Sequence, residues 1–249
     1  MTIADRLKKV SARIQQSQLN FGKLAGSNKN QLKSNLSNDF NGLNSLNHSV
    51  KLLAVSKTHP ISAIQEGFEA GITEFAESYL QEAEIKIQQA SHLDIIWHFI
   101  GPIQSNKTRL ITNLFDWVQS IDRTKVLQRI NDQRPIKLSP INVCIQVNYF
   151  KEENKKGANL QEVPELLELA SKLPNIKLRG LMFIPPKQVS HNAQLGQLTE
   201  IKAYFDKTRT QYPQLDTLSM GMSNDFEAAI EAGSSMVRIG TELFGKRRQ

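Results

Sequence analysis

Apolar residues recur along the chain as short runs separated by segments of helical periodicity. The segments repeat apolar residues every three or four positions, as Ile61, Ile64 and Phe68 do after the first run. Because parallel neighbouring strands need a crossover, this alternation predicts a parallel sheet with helices on its outside. The runs are aliphatic and β-branched, as in buried strands, and cover residues 50–56, 72–76, 94–100, 115–120, 141–148, 178–184, 217–221 and 236–240.

Eight strand–helix units are the number at which a parallel sheet closes into a barrel. We therefore predict an α/β fold, a (β/α)8 TIM-type barrel with an additional N-terminal helix, as a single domain over residues 1–249. The alternative is a doubly wound open sheet. It has less support, because no glycine-rich GxGxxG turn follows any of the runs.

Two segments of different character precede the first run. Residues 2–18 carry the apolar stripe of an amphipathic helix, which we expect to pack on the barrel. Residues from about 24 to 49 are dense in Asn, Ser and Gly, with too few apolar side chains to offset the entropy of ordering, and are predicted to form a low-complexity loop. The stripe consists of Ile3, Leu7, Val10 and Ile14.

Composition excludes several classes of function. The chain has 39% hydrophobic and 22% charged residues, as in ordinary globular proteins. No apolar run approaches the roughly 20 residues that cross a membrane, and the first residues lack the apolar core of a secretory signal. The lone Cys144 suits a reducing compartment, so we expect a cytoplasmic protein. The net charge is +7, but the basic residues are scattered, so we expect no nucleic-acid binding.

The chemistry is expected where the strands end, because barrel active sites lie there. Lys57 follows the first run in the stretch VKLLAVSKTHP, and Pro60 ends that strand. Once neutral, a lysine amine forms a Schiff base with an aldehyde or ketone. That carbonyl compound is either a substrate, as in aldolases, or permanently bound pyridoxal phosphate (PLP). The polar residues near the other strand ends include Ser78, His98, Ser219, Ser223, Arg238 and Thr241.

The loops after strands seven and eight commonly bind phosphate in such barrels. They read SMGMSNDFEAAIEAG and VRIGTELFG, in which Gly221 and Gly240 permit close backbone approach. A short helix is expected to start after each strand and to present free N–H groups. The segment SNDFE also has the pattern of a capping box, with Asn224 as the cap and Glu227 as its partner.

These blocks resemble the family of pyridoxal phosphate homeostasis proteins, single-domain relatives of the alanine racemase barrel. The resemblance runs from about residue 50 to 247. It implies that PLP is the cofactor, held as a Schiff base on Lys57. The blocks that carry it are LLAVSKTHP, WHFIGPIQSNK, SIDR, QVN…KKG, LRGLM and LSMGMSNDFEAAIEAGSSMVRIGTELFGKR.

The resemblance also implies which residues surround the cofactor. It places Arg238 beside the pyridine nitrogen and places Ser78 and Met182 at the pocket. The phosphate contacts that it implies come from Ser219, Ser223, Gly240 and Thr241.

The chain departs from the family pattern at one of these blocks. Where the family usually has FGENY, this chain has FAESY. Ala76 thus replaces a glycine, and Ser78 replaces an asparagine that lines the cofactor pocket. Ser78 keeps a polar group but has a shorter reach.

Arg238 favours a carrier over an enzyme. PLP chemistry draws electrons into a protonated ring nitrogen, whereas an arginine only donates hydrogen bonds and keeps that nitrogen unprotonated. Racemases tolerate this arginine but need a second acid or base, which comes from a second domain in the related racemase. This chain ends at Gln249, and its nearby candidates, Tyr79 and His98, have simpler interpretations as pocket, helix or core residues.

We therefore expect a PLP homeostasis protein that is not an enzyme. It would store the cofactor or deliver it to PLP-dependent apo-enzymes, and thereby influence amino-acid and keto-acid balance. We expect a monomer with no membrane partner. The alternative is a PLP-dependent amino-acid racemase. An aldolase without cofactor fits less well, because it has no need of Arg238.

Overall fold

The chain folds into a closed barrel of eight parallel strands, in sequence order from β1 to β8. The computed structural model describes residues 1–24 and 50–246. The barrel confirms the predicted (β/α)8 architecture, and each predicted strand ends within two residues of an observed one. The strands are β1 Lys51–Val55, β2 Glu74–Glu77, β3 Ile96–Phe99, β4 Trp117–Ile121, β5 Ile141–Val147, β6 Ile176–Phe183, β7 Thr217–Met222 and β8 Met236–Ile239.

Helices connect successive strands and cover the outside of the barrel. Within the described ranges, no helix is both long and apolar enough to cross a membrane. The helices are α1 Ile3–Leu24, α2 Ile61–Glu69, α3 Leu80–Gln89, α4 Thr108–Leu114, α5 Thr124–Gln133, α6 Val163–Lys172, α7 His191–Gln211, α8 Phe226–Glu231 and α9 Thr241–Phe244.

The strands separate two apolar regions, because successive side chains of a strand point to opposite faces. The larger region lies between the strands and the surrounding helices. The barrel interior holds two small clusters, which are separated from that core. Polar side chains fill much of the remaining interior, and His98, Gln119 and Ser219 are all completely buried. The two interior clusters consist of Leu53, Val55, Ala76 and Met236, and of Trp117, Cys144 and Met182.

The predicted N-terminal helix is present and is longer than expected. It runs from Ile3 to Leu24 rather than over residues 2–18, and it packs against α2, α8 and α9. The extra turns have a polar anchor, because Asn20 Nδ2 donates to Glu231 Oε1 at 2.7 Å. The predicted low-complexity loop at about 24–49 lies outside the described residues beyond Leu24.

Strand β6 approaches β7 closely at a bulge. Val143 of β5 pairs with Leu178, but Cys144 pairs with Gly180, so Arg179 is an additional residue in β6. A Cβ atom on Gly180 would lie 1.7 Å from the carbonyl oxygen of Thr217. Only glycine therefore allows this contact between the two strands.

We expect Gly180→Ala to lower the free energy of unfolding by more than about 2 kcal/mol, because β6 and β7 would have to separate. Urea denaturation measures the change. Gly196→Ala is the matched control, since nothing lies within 4 Å of its added Cβ and helix α7 should gain up to about 1 kcal/mol. Equal stability of both variants would show that the barrel widens at this point without cost.

Candidate functional site

The turn after β1 carries Lys57, which is half-buried at the carboxyl end of the barrel. The next residue, Thr58, has a φ of +67°. A β-branched residue rarely adopts this left-handed conformation, which costs of the order of 1 kcal/mol or more. Such a turn persists only where its surroundings hold it.

Helix α3 supplies the side chains that hold the turn. The backbone N–H of Thr58 donates to Glu82 Oε1 at 2.6 Å, and Lys86 Nζ donates to the carbonyl oxygen of Ser56 at 2.8 Å. Lys86 also pairs with Glu82, one helical turn before it. The backbone on both sides of Lys57 is thus fixed from α3.

Glu77, at the end of β2, completes this arrangement, which we call the α3 clamp (Glu77, Glu82 and Lys86). Its Oε1 accepts from Lys86 Nζ at 2.8 Å and from the Ser56 hydroxyl at 2.7 Å. Its Oε2 is the single buried side-chain oxygen or nitrogen without a hydrogen-bond partner in the part of the chain that the structure describes. Burial raises the pKa of Glu77, against the opposing effect of the Lys86 ammonium.

Sequence reasoning did not identify Glu82 and Lys86. A signal for Lys86 was present, since it follows Ala83 by three positions on the apolar stripe of its helix and both are buried. A lysine on a buried helix face requires an acidic partner, because an unpaired buried charge is costly. Its partner Glu77 could not be identified in the same way, because their pairing depends on the packing of α3 on β2.

Arg238 of β8 lies inside the barrel and is 4% exposed. Its Nη1 donates to Ser219 Oγ at 2.7 Å, and its Nη2 donates to the carbonyl oxygen of Phe183 at 2.9 Å. Burial lowers the pKa of Arg238 to about 10, although Asp225 acts in the opposite direction. The guanidinium is therefore charged at neutral pH. No carboxylate of the described residues is within ion-pair distance of it.

The residues expected around the cofactor form two groups, one accessible at the strand ends and one buried inside the barrel. Ser78, Ser223, Gly240 and Thr241 are at least partly accessible at the ends of β2, β7 and β8, as is Lys57 at the end of β1. The buried group contains Met182, Ser219 and Arg238.

The buried residues have protein partners of their own. Met182 packs with Trp117 and Cys144. Ser219 Oγ accepts from Arg238 and donates to Gln119 Oε1 at 2.7 Å. A phosphate contact from Ser219 stays a prediction, and its hydroxyl proton is already donated to Gln119.

Short helices begin after β7 and β8 as expected, but the predicted capping box is wrong. Asp225 rather than Asn224 is at the N-cap of α8, and its side chain accepts no hydrogen bond from the helix. Its Oδ1 accepts from the Met222 N–H at 2.7 Å instead. Glu227 pairs with Arg13 of α1 through two hydrogen bonds of 2.9 and 3.1 Å, because a guanidinium is a stronger partner than a backbone N–H.

Arg13 also reaches the helix after β8. Its Nη1 lies 3.3 Å from Glu242, in the first turn of α9. Helix α1 thereby offsets an acidic residue in the first turn of both α8 and α9. The pairing with Arg13 compensates the negative charges of Glu227 and Glu242, which would otherwise disfavour a dianion nearby.

The barrel end suits an anionic carbonyl compound. Lys57 supplies an amine, and Arg238 supplies a buried positive charge that no described carboxylate pairs with directly. A Cβ on Gly240 would lie 3.1 Å from the carbonyl oxygen of Val55, so glycine lets β8 end close beside β1. The amine fits the aldehyde group of PLP, and the donors of Arg238 fit an acceptor such as its ring nitrogen.

Comparison with known sequences agrees with this chemistry. A family model described as "Alanine racemase, N-terminal domain" matches residues 29–248. The pyridoxal phosphate homeostasis protein of Vibrio alginolyticus is 55% identical over 203 residues, which cover 80% of this chain and 87% of that protein. The protein of the same name from Escherichia coli K12 is 49% identical over 201 residues, covering 80% and 86%.

Comparison with solved structures supports the same assignment. PipY of Synechococcus elongatus, solved with PLP bound, is 30% identical with a TM-score of 0.76, and the match covers 98% of this chain and 100% of that one. Alanine racemase of Clostridium difficile is 18% identical with a TM-score of 0.66, covering 89% and 58%, and shares the fold alone. The chain therefore belongs to the pyridoxal phosphate homeostasis protein family, whose barrel is that of the alanine racemase N-terminal domain.

Proposed function

We propose that this chain binds PLP as a Schiff base on Lys57 and takes part in PLP homeostasis by storing or delivering the cofactor. The observation that carries the proposal is that one barrel holds both a half-buried lysine at the end of β1 and the buried, cationic Arg238. The names of the relatives and the PLP-bound structure of PipY support it.

Attachment requires a neutral amine and an aldehyde. Lys57 would hold the cofactor through a carbon–nitrogen double bond, formed with loss of the carbonyl oxygen as water. The α3 clamp fixes the backbone on both sides of this lysine. The Lys57 amine is thus presented from a rigid turn.

Arg238 determines what the bound cofactor can do. PLP supplies an electron sink when its ring nitrogen is protonated. A guanidinium has donors and no acceptor, so beside that nitrogen it donates a hydrogen bond and disfavours protonation. Its contacts with Ser219 and Phe183 use two of its five N–H groups, and a further one would face the ring nitrogen. This favours a carrier over an enzyme.

The phosphate is assigned to the accessible residues after β7 and β8. Ser223, Gly240 and Thr241 are partly accessible, and Arg13 offsets Glu227 and Glu242 behind them. Ser78 is accessible at the end of β2 and provides a shorter polar side chain on that side of the pocket.

We further propose that the protein acts as a cytoplasmic monomer and that PLP-dependent apo-enzymes are its acceptors. A completely buried Cys144, whose pKa burial raises to about 12, suits a compartment in which thiols stay reduced. Size-exclusion chromatography with light scattering tests the monomer. Reactivation of an apo-enzyme by the PLP-loaded protein tests delivery.

We expect Lys57→Ala to abolish borohydride-dependent attachment of PLP, because the amine that forms the Schiff base is removed. Intact-mass measurement and peptide mapping detect the label. Lys172→Ala is the matched control, since Lys172 is exposed and pairs only with Glu168 on its own helix. Wild-type protein labelled at a lysine other than Lys57 would overturn the assignment.

We expect the PLP-loaded wild type to racemise amino acids far more slowly than about 1 per second, the lower end of ordinary enzyme turnover. The physical reason is the weak electron sink beside Arg238. Chiral chromatography of D- and L-amino acids incubated with the protein measures the rate. Turnover in the ordinary enzyme range would favour the racemase alternative, and Arg238→Glu should then change that rate.

A further inference from the structure

A continuous chain of hydrogen bonds runs through the barrel interior from Arg238 to Glu74. Arg238 Nη1 lies 2.7 Å from Ser219 Oγ, which lies 2.7 Å from Gln119 Oε1. Gln119 Nε2 lies 3.0 Å from His98 Nδ1. His98 Nε2 lies 3.1 Å from Glu74 Oε2. The chain joins β8, β7, β4, β3 and β2, and we call it the interior chain.

The direction of every donor in the interior chain follows from its first member. Arginine has only donors, so Ser219 Oγ accepts from Arg238 and its own proton goes to Gln119 Oε1. The Gln119 amide then points its NH2 group at His98. His98 Nδ1 must accept this bond and cannot carry a proton. Its single proton is therefore on Nε2 and is donated to Glu74.

The surroundings of His98 favour this neutral form. His98 is completely buried and stacks on Trp117 with ring centroids 5.1 Å apart, and burial lowers its pKa. The charged groups that act on it are Glu74, Lys51 and Asp116. Lys51 lies 2.7 Å from Glu74. The pKa of Glu74 is lowered to about 2, because the hydrogen bonds from His98 and Lys51 outweigh burial.

A change in the protonation of His98 must alter the hydrogen bonds of Gln119 and Ser219. A proton on His98 Nδ1 would face the NH2 group of Gln119, donor against donor. The amide would then turn and present NH2 to Ser219, and the hydroxyl proton of Ser219 would lose its acceptor, Gln119 Oε1. The Ser219 hydroxyl would have to rotate toward another acceptor, which alters its contact with Arg238. Arg238 and His98 are thus coupled through three hydrogen bonds.

We propose that His98 and Gln119 are positioning residues for Arg238: through a one-directional hydrogen-bond chain they fix the orientation in which the guanidinium faces a bound ligand. The ligand part of this statement rests on the proposed function, whereas the direction of the chain does not. Without Ser219, the guanidinium would keep only its bond to the Phe183 carbonyl among its described contacts. The chain supplies the constraint that an ion pair usually provides.

The first test uses protein without ligand. Long-range proton–nitrogen NMR of histidine-labelled protein reports the protonation of both ring nitrogens, and a His98→Asn variant identifies which of the five histidines gives the signal. We expect His98 neutral, with its proton on Nε2, at neutral pH. A proton on Nδ1, alone or in an imidazolium, would overturn the proposal.

The second test asks whether the chain is coupled. Gln119→Glu removes the donor that faces Nδ1 and replaces it with an acceptor, so we expect His98 to become protonated on Nδ1. Arg238→Met removes the donor that sets the direction, so we expect the His98 nitrogen signals to shift. Ser234→Ala is the matched control. The described contacts of the buried Ser234 hydroxyl are all backbone carbonyls, so this variant should leave those signals unchanged.

The third test concerns the ligand. Gln119→Met should weaken PLP binding about tenfold and make the absorption of the bound cofactor pH-dependent, while borohydride still fixes the label on Lys57. Unchanged affinity and an unchanged pH profile would contradict the positioning role even if the chain direction is correct. If PLP fails to bind the wild type, the proposed function is wrong, and the two ligand-free tests still decide the direction and coupling of the interior chain.

Discussion

The cost of burying one guanidinium governs the interior of this barrel. Arg238 is almost completely inaccessible and has no carboxylate at ion-pair distance among the described residues. A buried charge is tolerated only where hydrogen bonds replace water. Ser219 and the Phe183 carbonyl supply them, and Ser219 in turn depends on Gln119. A barrel interior usually filled with branched apolar side chains is partly polar here for this reason.

The fold was accessible from sequence because its signals are local. Strand composition and helical periodicity recur within a few residues of each other, and eight repeats imply closure. The same signals located Lys57, since Pro60 ends a clear apolar run. Strand ends define the open end of a barrel, so the residues that follow them could be named before their distances were known.

The contacts that give the site its electrostatics were not accessible in this way. Ser219 and Gln119 are bonded to each other across 100 positions of sequence, and only barrel closure brings β4 and β7 together. Asn224 and Glu227 had the local pattern of a capping box. Glu227 nevertheless accepts a hydrogen bond from Arg13, more than 200 positions away. Local patterns predict elements well, but a distant charged partner overrides them where it forms the stronger hydrogen bond.

The left-handed Thr58 has a consequence for the motion of its neighbour. Glycine or asparagine would adopt its φ of +67° with less strain, but each would also leave the backbone more freedom before folding. A β-branched residue held by Glu82 leaves this backbone little room to move. The backbone of Lys57 is therefore fixed, and the motion of this residue comes from its side chain. The position of its amine is set by the rotations of its own side chain, so the amine can move without any displacement of the barrel.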